Sequence, residues 1–320
     1  MLRTLIRGDG IAARCCEHLL LQAGCEVASD RVGRPRLPAI MLGGAATAMM
    51  RDVFGRQELF EGFHEIRKRV VAWGQAAEPV SLPHSAIVVS ERELLEAVGS
   101  RESSELDDVD WEVITARPLP EECNERHFGT RMACAQAVTL AGPGDTCWVE
   151  ALDDGWLFLI PNSEKTGWLL SIGSGHLSQS RLIAPQVSEV QGDVSQFPAY
   201  PRIMQPLCGP RWIACGSAAM AFDPLCGDGT ANAVREAILA AAVIRAGADA
   251  LPHYEARLTA GFQRHLSLCM SFYQSGGSGV WWKSESAALE TGLEWCGMRA
   301  RTFGTYRYQL NGFDLVPVLP

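Results

Sequence analysis

Two glycine-rich turns carry the residue types best suited to chemistry. Gly8-Asp9-Gly10-Ile11-Ala12-Ala13 stands near one end, and Asp223-Pro224-Leu225-Cys226-Gly227-Asp228-Gly229 stands more than 200 residues further on. Each runs into a segment of helical character. A glycine turn that opens a helix leaves backbone N–H groups without intrahelical partners and lets a ligand approach the main chain closely. Such an end suits a phosphate or the polar edge of an electron-rich ring. Gly8, Gly10 and Ala13 fit a GxGxxA pattern, whose third small residue lets helix and strand pack closely. Asp30, twenty residues beyond Gly10, is placed to accept hydroxyls of a ribose. A plain loop aspartate is the alternative.

The elements that must hold these turns can be read from periodicity. Leu2 to Ile6 reads as a short buried strand. Ile11 to Gln22 reads as a helix, with Ile11, Cys15, Leu19 and Leu20 near helical spacing, and Cys25 to Ala28 as the next strand. Strand, glycine turn, helix and strand make the first unit of a dinucleotide-binding fold. Arg34 to Pro38 reads as an extended loop and Ala39 to Val53 as a helix rich in small residues. Ile66 to Trp73, Ala86 to Val89 and Trp111 to Thr115 read as strands. Glu91 to Val98 reads as a helix capped by Ser90. Arg101 to Asp110 reads as an exposed acidic loop.

From Arg131 to Ile172 the pattern turns to β. Thr146 to Ala151, Trp156 to Ile160 and Gly167 to Ile172 read as antiparallel strands, with turns at Asp153-Asp154-Gly155 and Asn162-Ser163. Ile213 to Cys215 returns to strand, and Thr230 to Ala246 is a long helix. The segment after Pro252 is mostly helical to about Arg299, and Tyr306 to Pro317 is an extended tail.

The length of 320 residues suits one large domain or two interleaved ones, and 47% hydrophobic residues suffice for a core. No apolar run approaches the ~18–20 residues of a membrane span. Met1 to Ile6 lead straight into a glycine turn, so no leader and a cytoplasmic location are expected. A net charge of −9 argues against a nucleic-acid partner. The 11 cysteines form no CxxC pair, and the 7 histidines do not join them at zinc spacings. The expectation is a reduced protein without a metal, in which cysteine serves as a small core residue.

The order of these motifs carries a resemblance. An N-terminal GxGxxA is followed by Ser90-Glu91-Arg92-Glu93-Leu94-Leu95, then by the antiparallel sheet, then by Gly216-Ser217-Ala218-Ala219, Asp223-Pro224 and Gly227-Asp228-Gly229. That order resembles the flavin-dependent monooxygenases of the aromatic hydroxylase type. It is similar also to the flavin-dependent halogenases and related amino-acid-modifying flavoproteins. Trp156-Leu157-Phe158-Leu159-Ile160-Pro161 resembles the halogenases' W-x-W-x-I-P, with Phe158 in place of the second Trp. The resemblance spans roughly residues 2–245.

It implies an α/β chain in which a Rossmann-like FAD-binding domain is interleaved with an antiparallel sheet that holds substrate, followed by a helical C-terminal region. The expected parts are 1–117 and 206–250 for FAD, 118–205 for the sheet, and 251–320 for the helices. It also implies FAD, reduced by NAD(P)H directly or through a separate flavin reductase. Gly8, Gly10 and Ala13 would pass the diphosphate and Asp30 would take the adenosine ribose. Arg92 would face the cofactor. Asp223 and Pro224 would lead into Gly227, Asp228 and Gly229 beside the flavin ring. Ser217 stands where the family has an Asp for the ribityl chain, and the Asp-Gly segment usual before the sheet is missing near Thr115 to Pro118. These departures keep open a relative that has lost the cofactor and serves as a binding or maturation partner.

The implied reaction is hydroxylation of an aromatic or amino-acid group, in a small molecule or in a peptide or protein partner, through a flavin C4a-hydroperoxide. Such chemistry asks the protein for a dry pocket and an oriented substrate. Trp148, Trp156 and Phe158 are candidates for its wall, with core packing as the alternative, and Arg131 for its entry. His127 is the candidate acid or base, with a structural hydrogen bond as the alternative. Halogenation would need a lysine to capture hypohalous acid, and Lys68 is the candidate; a solvated strand charge is the alternative. Trp281-Trp282, after Gly276-Gly277-Ser278-Gly279, would form a lid or docking face, or pack in the core.

Overall fold

A computed structural model describes every residue except 75–77, 100–105, 107, 228, 305–306 and 319–320. Most of the expected acidic loop, Tyr306 of the tail, and Asp228 lie outside the described residues.

The first sheet has the order β14 (Cys208–Gly209), β15 (Trp212–Ala214), β6 (Trp111–Ile114), β1 (Arg3–Arg7) and β2 (Glu26–Asp30). β2, β1, β6 and β15 are parallel neighbours. β1 is flanked on both sides, and the alternate residues Thr4 and Ile6 are fully buried. Helix α1 (Ile11–Gln22) follows it, and α4 (Gly229–Ala246) follows β15 at a distance in sequence. These two helices pack closely because their contact is built from small residues. Ala12, Ala13 and Cys16 of α1 are buried, and Cys16 Sγ lies 3.6 Å from the carbonyl of Ala237 in the Ala-rich stretch of α4.

The second sheet has eight strands in the order β12 (Val187–Pro198), β8 (Met132–Leu140), β11 (Thr166–Gly173), β10 (Gly155–Pro161), β9 (Thr146–Leu152), β4 (His64–Ala72), β5 (Val80–Val89) and β3 (Ile40–Gly43). All its pairs are antiparallel except β4 with β9, which is parallel. It is therefore not confined to residues 118–205, because the stretch 40–89 contributes three of its strands. The stretch expected as one helix from Ala39 divides for the same reason. Ile40 to Leu42 are apolar and pair with β5, and Gly43-Gly44 break the chain before α2 (Gly44–Phe54). β7 (Asn124–His127), β13 (Arg202–Gln205) and β16 (Met220–Ala221) form a small third sheet.

Helix α3 (Glu91–Val98) starts with a reciprocal capping box. Ser90 Oγ accepts from the Glu93 N–H, and the Glu93 carboxylate accepts from the Ser90 N–H. Two long helices, α5 (Leu251–Gly276) and α6 (Val280–Ala300), pack on each other, and a terminal hairpin joins β17 (Tyr308–Asn311) to β18 (Asp314–Pro317). Among the described residues no helix is long and apolar enough to cross a membrane.

Candidate functional site

Both glycine turns open onto one cleft. It lies between the N-termini of α1 and α4, measures about 890 Å3 including its solvent-open part, and is lined by Gly10, Ser217, Gly229 and Glu236 among others. Gly8 has φ +122°, its N–H donates to the Asp30 carbonyl at 2.8 Å, and a Cβ there would sit 2.1 Å from Thr115 Oγ1. Only glycine fits that corner. Gly10 caps α1 in extended conformation, with no side-chain cap hydrogen bond to the first-turn N–H groups among the described residues. Those donors remain available to an anion, with the helix dipole behind them. Among the described residues, and apart from their chain neighbours and their own helix, Gly227 (φ +64°) and Gly229 have no atoms within 4 Å of where a Cβ would stand. Ala13 is buried in the close α1 contact, and Asp30 ends β2 with its carboxylate largely exposed, 3.5 Å from Arg7 Nε.

Charges on the rim come from residues that sequence reasoning did not single out. Arg34 Nη2 lies 3.4 Å from the position of a Cβ on Gly10, and its Nη1 donates to Glu91 Oε2 at 3.0 Å. Arg36 donates to the Asp9 carbonyl at 2.5 Å and pairs with the Asp9 carboxylate. Arg14 donates to Asp9 Oδ1 at 2.5 Å. The signal was the Arg-Pro-Arg-Leu-Pro loop after β2: a stiff, extended loop at the edge of a glycine turn reaches back over it with two long cations.

The structure corrects Arg92. The capping box fixes the phase of α3, so Leu94, Leu95 and Glu91 face inward, and the Arg92 side chain is 79% exposed, 3.9 Å from Glu96. The residue at the cleft is Glu91, its neighbour.

On the wall of the same cleft, beside Ala12 of α1, Gly216 has φ +62° and its N–H donates to Glu236 Oε2 at 2.7 Å. The other carboxyl oxygen, Oε1, is buried with no partner among the described residues. Burial pushes the Glu236 carboxyl up to about 8, and the bond from Gly216 lowers it only in part. It is thus a neutral acid at pH 7, on the cleft wall. Ser217 Oγ donates to the Thr115 carbonyl at 3.3 Å.

Asp223 does not face the cleft. It is 1% exposed, and its carboxylate is taken up inside the protein. Oδ1 accepts from the Leu225 N–H at 2.8 Å, and Oδ2 accepts from Tyr273 OH and lies beside Arg131 Nε, both at 2.7 Å. Pro224 begins the short turn that Asp223 caps. Arg131 is corrected as well: it is 1% exposed, pairs with Glu285 too, and its guanidinium stands 4.6 Å over the Tyr273 ring. Trp156 Nε1 donates to the same Tyr273 hydroxyl at 3.2 Å. Arg131, Asp223 and Trp156 do meet, as sequence reading had not joined them, around Tyr273 in the core.

The aromatic wall divides by strand alternation. Phe158 stands opposite Val149, and Trp148 opposite Leu159, so the two ring systems project to opposite faces. Trp156 and Phe158 join the main core, and Trp148 packs with Leu157, Leu159 and Ile183 behind the sheet. His127 is exposed on β7 with its ring 5.1 Å from that of Tyr200. Lys68 is exposed on β4 between Pro83 and Thr146. Trp282 is 1% exposed and donates to the Leu152 carbonyl at 2.9 Å, and Trp281 packs on Gly173. These two are core, not a lid.

No family model matches the sequence, and no curated protein matches it. Solved structures do match. A peptidyl tryptophan dihydroxylase, QhpG, essential for tryptophylquinone cofactor biogenesis, superposes with a TM-score of 0.71 at 19% identity, over 89% of this chain and 78% of its own. The myxobacterial chondrochloren halogenase CndH, an FAD-dependent halogenase variant, gives 0.75 at 15% identity, over 93% and 90%. Klebsiella pneumoniae HpxO, complexed with FAD and uric acid, gives 0.60 at 16% identity, over 94% and 92%. The chain has the fold shared by these flavin-dependent halogenases and hydroxylases.

Proposed function

We propose that the chain binds FAD in the cleft between α1 and α4 and serves as a monooxygenase for an aromatic or amino-acid group. The convergence of two glycine turns, more than 200 residues apart in sequence, on one cleft carries this reading. The residues present fit the cofactor. Gly227 and Gly229 leave space where side chains would stand, Gly10 meets only the ends of the Arg34 and Glu91 side chains among the described residues, and α1 offers N–H donors without a side-chain cap. Gly8, Gly10 and Ala13 would hold the diphosphate at α1, with Arg34 and Arg36 supplying positive charge. Asp30 would accept from the adenosine ribose, and Ser217 would bond the ribityl chain. Gly227 and Gly229, with Asp228 between them, would meet the pyrimidine edge at α4.

Bound FAD, reduced by NAD(P)H directly or through a reductase, supplies the activation of oxygen. The chain's own share is to bind, orient and exclude water. A neutral Glu236 adds a donor to the cleft without repelling the diphosphate. Hydroxylation is preferred to halogenation because Lys68, the lysine offered for halide transfer, is exposed on its strand. The likeness to a peptidyl tryptophan dihydroxylase supports peptide-borne tryptophan as the first substrate to try.

The test supplies FAD, NADH, a flavin reductase and oxygen to the protein with a tryptophan peptide, and with free phenols and indoles. The expected product has gained one or two oxygen atoms by mass spectrometry. A chlorinated product on adding chloride would move the reading to halogenation. Bound FAD with no product from any substrate class would favour a binding module.

A further inference from the structure

The tertiary fold brings Cys226 to His265 and Cys269. Cys226 ends the short turn Pro224–Cys226, one residue before Gly227, and His265 and Cys269 lie one turn apart on α5. Cys226 Sγ is 3.5 Å from Cys269 Sγ, which is 3.3 Å from His265 Nε2. The Asp223 N–H donates to the same Nε2 at 2.9 Å.

We propose that Cys226 and Cys269 are a redox-active pair, in which Cys226 reacts with hydrogen peroxide and Cys269 resolves the product to a reversible disulfide. Cys226 is partly exposed and Cys269 is buried behind it, the order that attack from solvent followed by internal resolution requires. The groups facing Cys226 agree. The Cys269 thiol and His265 both favour its thiolate, against burial and the nearby Asp223 carboxylate, and bring it down to about 6. Cys269 is held well above the ordinary thiol range, so it keeps its proton.

The steps balance. The Cys226 thiolate attacks one peroxide oxygen: an S–O bond forms, the O–O bond breaks, and hydroxide leaves. The Cys269 sulfur then attacks the Cys226 sulfur. The S–S bond forms, the S–O bond breaks, and the hydroxyl leaves as water with the Cys269 proton. Two electrons pass from the sulfurs to peroxide.

A second pair serves as an internal contrast. Cys16 and Cys215 lie 3.8 Å apart, but both are fully buried, and Cys215 is pushed well above the ordinary thiol range. It should stay reduced under the same treatment. The disulfide at Cys226 would tie the turn before Gly227 to α5, and the pair requires no bound cofactor.

The test treats the purified, reduced protein with hydrogen peroxide and follows intact mass, free thiols and cross-linked peptides. The expected result is loss of two hydrogen atoms and two thiols, a Cys226–Cys269 peptide, and full reversal by dithiothreitol. Cys226→Ser should abolish the mass change, and Cys269→Ser should leave a sulfenic acid at Cys226 that dimedone traps. Iodoacetamide should label Cys226 with a pH midpoint of about 6. A disulfide at another pair, no disulfide at all, or a Cys226 midpoint near the ordinary ~8.5 would overturn the proposal.

Discussion

Replacing Glu236 with Gln should stabilise the protein by an amount that grows with pH. The Glu236 carboxyl is 4% exposed, accepts one backbone N–H, and has its second oxygen unpartnered among the described residues. Burial raises its pKa from 4.5 to about 8. The unfolded chain releases this proton above pH 4.5, whereas the folded chain retains it up to about pH 8. Folding therefore takes up a proton in that window, and stability falls as pH rises through it. Each unit between the two pKa values costs ~1.4 kcal/mol. The cost integrates to roughly 1 kcal/mol at pH 5, ~3 kcal/mol at pH 7 and ~5 kcal/mol at pH 9, where it levels off. Gln keeps the oxygen that accepts from Gly216 and cannot ionise, so the variant escapes the cost. Denaturant unfolding of both proteins at these three pH values measures it, with slopes checked for equality. The stability curves should meet near pH 4 and diverge upward. Parallel curves, or a variant less stable at pH 9 than at pH 5 relative to the parent, would refute the reasoning.

The other expectations follow from burial and position. Arg131→Met leaves the Asp223 and Glu285 carboxylates buried without their counter-ion. It should cost ~3–5 kcal/mol by chemical unfolding, and a loss under 1 kcal/mol would mean that the network is not formed. Arg34→Ala should weaken FAD binding and reduce its salt dependence, read by flavin fluorescence titration at two ionic strengths; unchanged affinity would remove Arg34 from the site. Lys68→Ala, at an exposed strand position, should change stability by less than ~0.5 kcal/mol and leave flavin affinity intact. A large loss in either would contradict its placement.

Local signals were the ones that sequence conveyed. The strand–turn–helix–strand start is set by short-range rules: Gly8 must take positive φ, Ala13 must be small, and Ser90 caps α3 through Glu93. The hairpins around Gly155 and Ser163 likewise follow from turn residues between apolar runs. Face was harder than element. Trp148 and Trp156 both look like wall residues until register puts them on opposite sides of the sheet. Partnership was hardest. Glu236 reaches Gly216 from two turns into an Ala-rich helix, and Tyr273 collects Asp223, Arg131 and Trp156 from three remote segments. No periodicity marks such meetings, because packing of α5 against the turn at Asp223 creates them. The departure at Ser217 drew attention to a missing carboxylate, while the carboxyl bonded to its neighbour Gly216, that of Glu236, went unmarked.

The central claim is a flavin site between α1 and α4, and the visible absorption spectrum tests it most directly. The purified protein is mixed with FAD, passed through a desalting column and scanned, beside the Gly10→Val variant. At Gly10 a new side chain would enter the cleft, where the end of the flexible Arg34 side chain, 3.4 Å from its Cβ, is the nearest neighbour given among the described residues, so folding should survive while the diphosphate is displaced. The account predicts the band of bound flavin in the parent and its absence in a folded Gly10→Val protein. A parent that stays colourless with excess FAD, or a variant that holds flavin equally well, would contradict it.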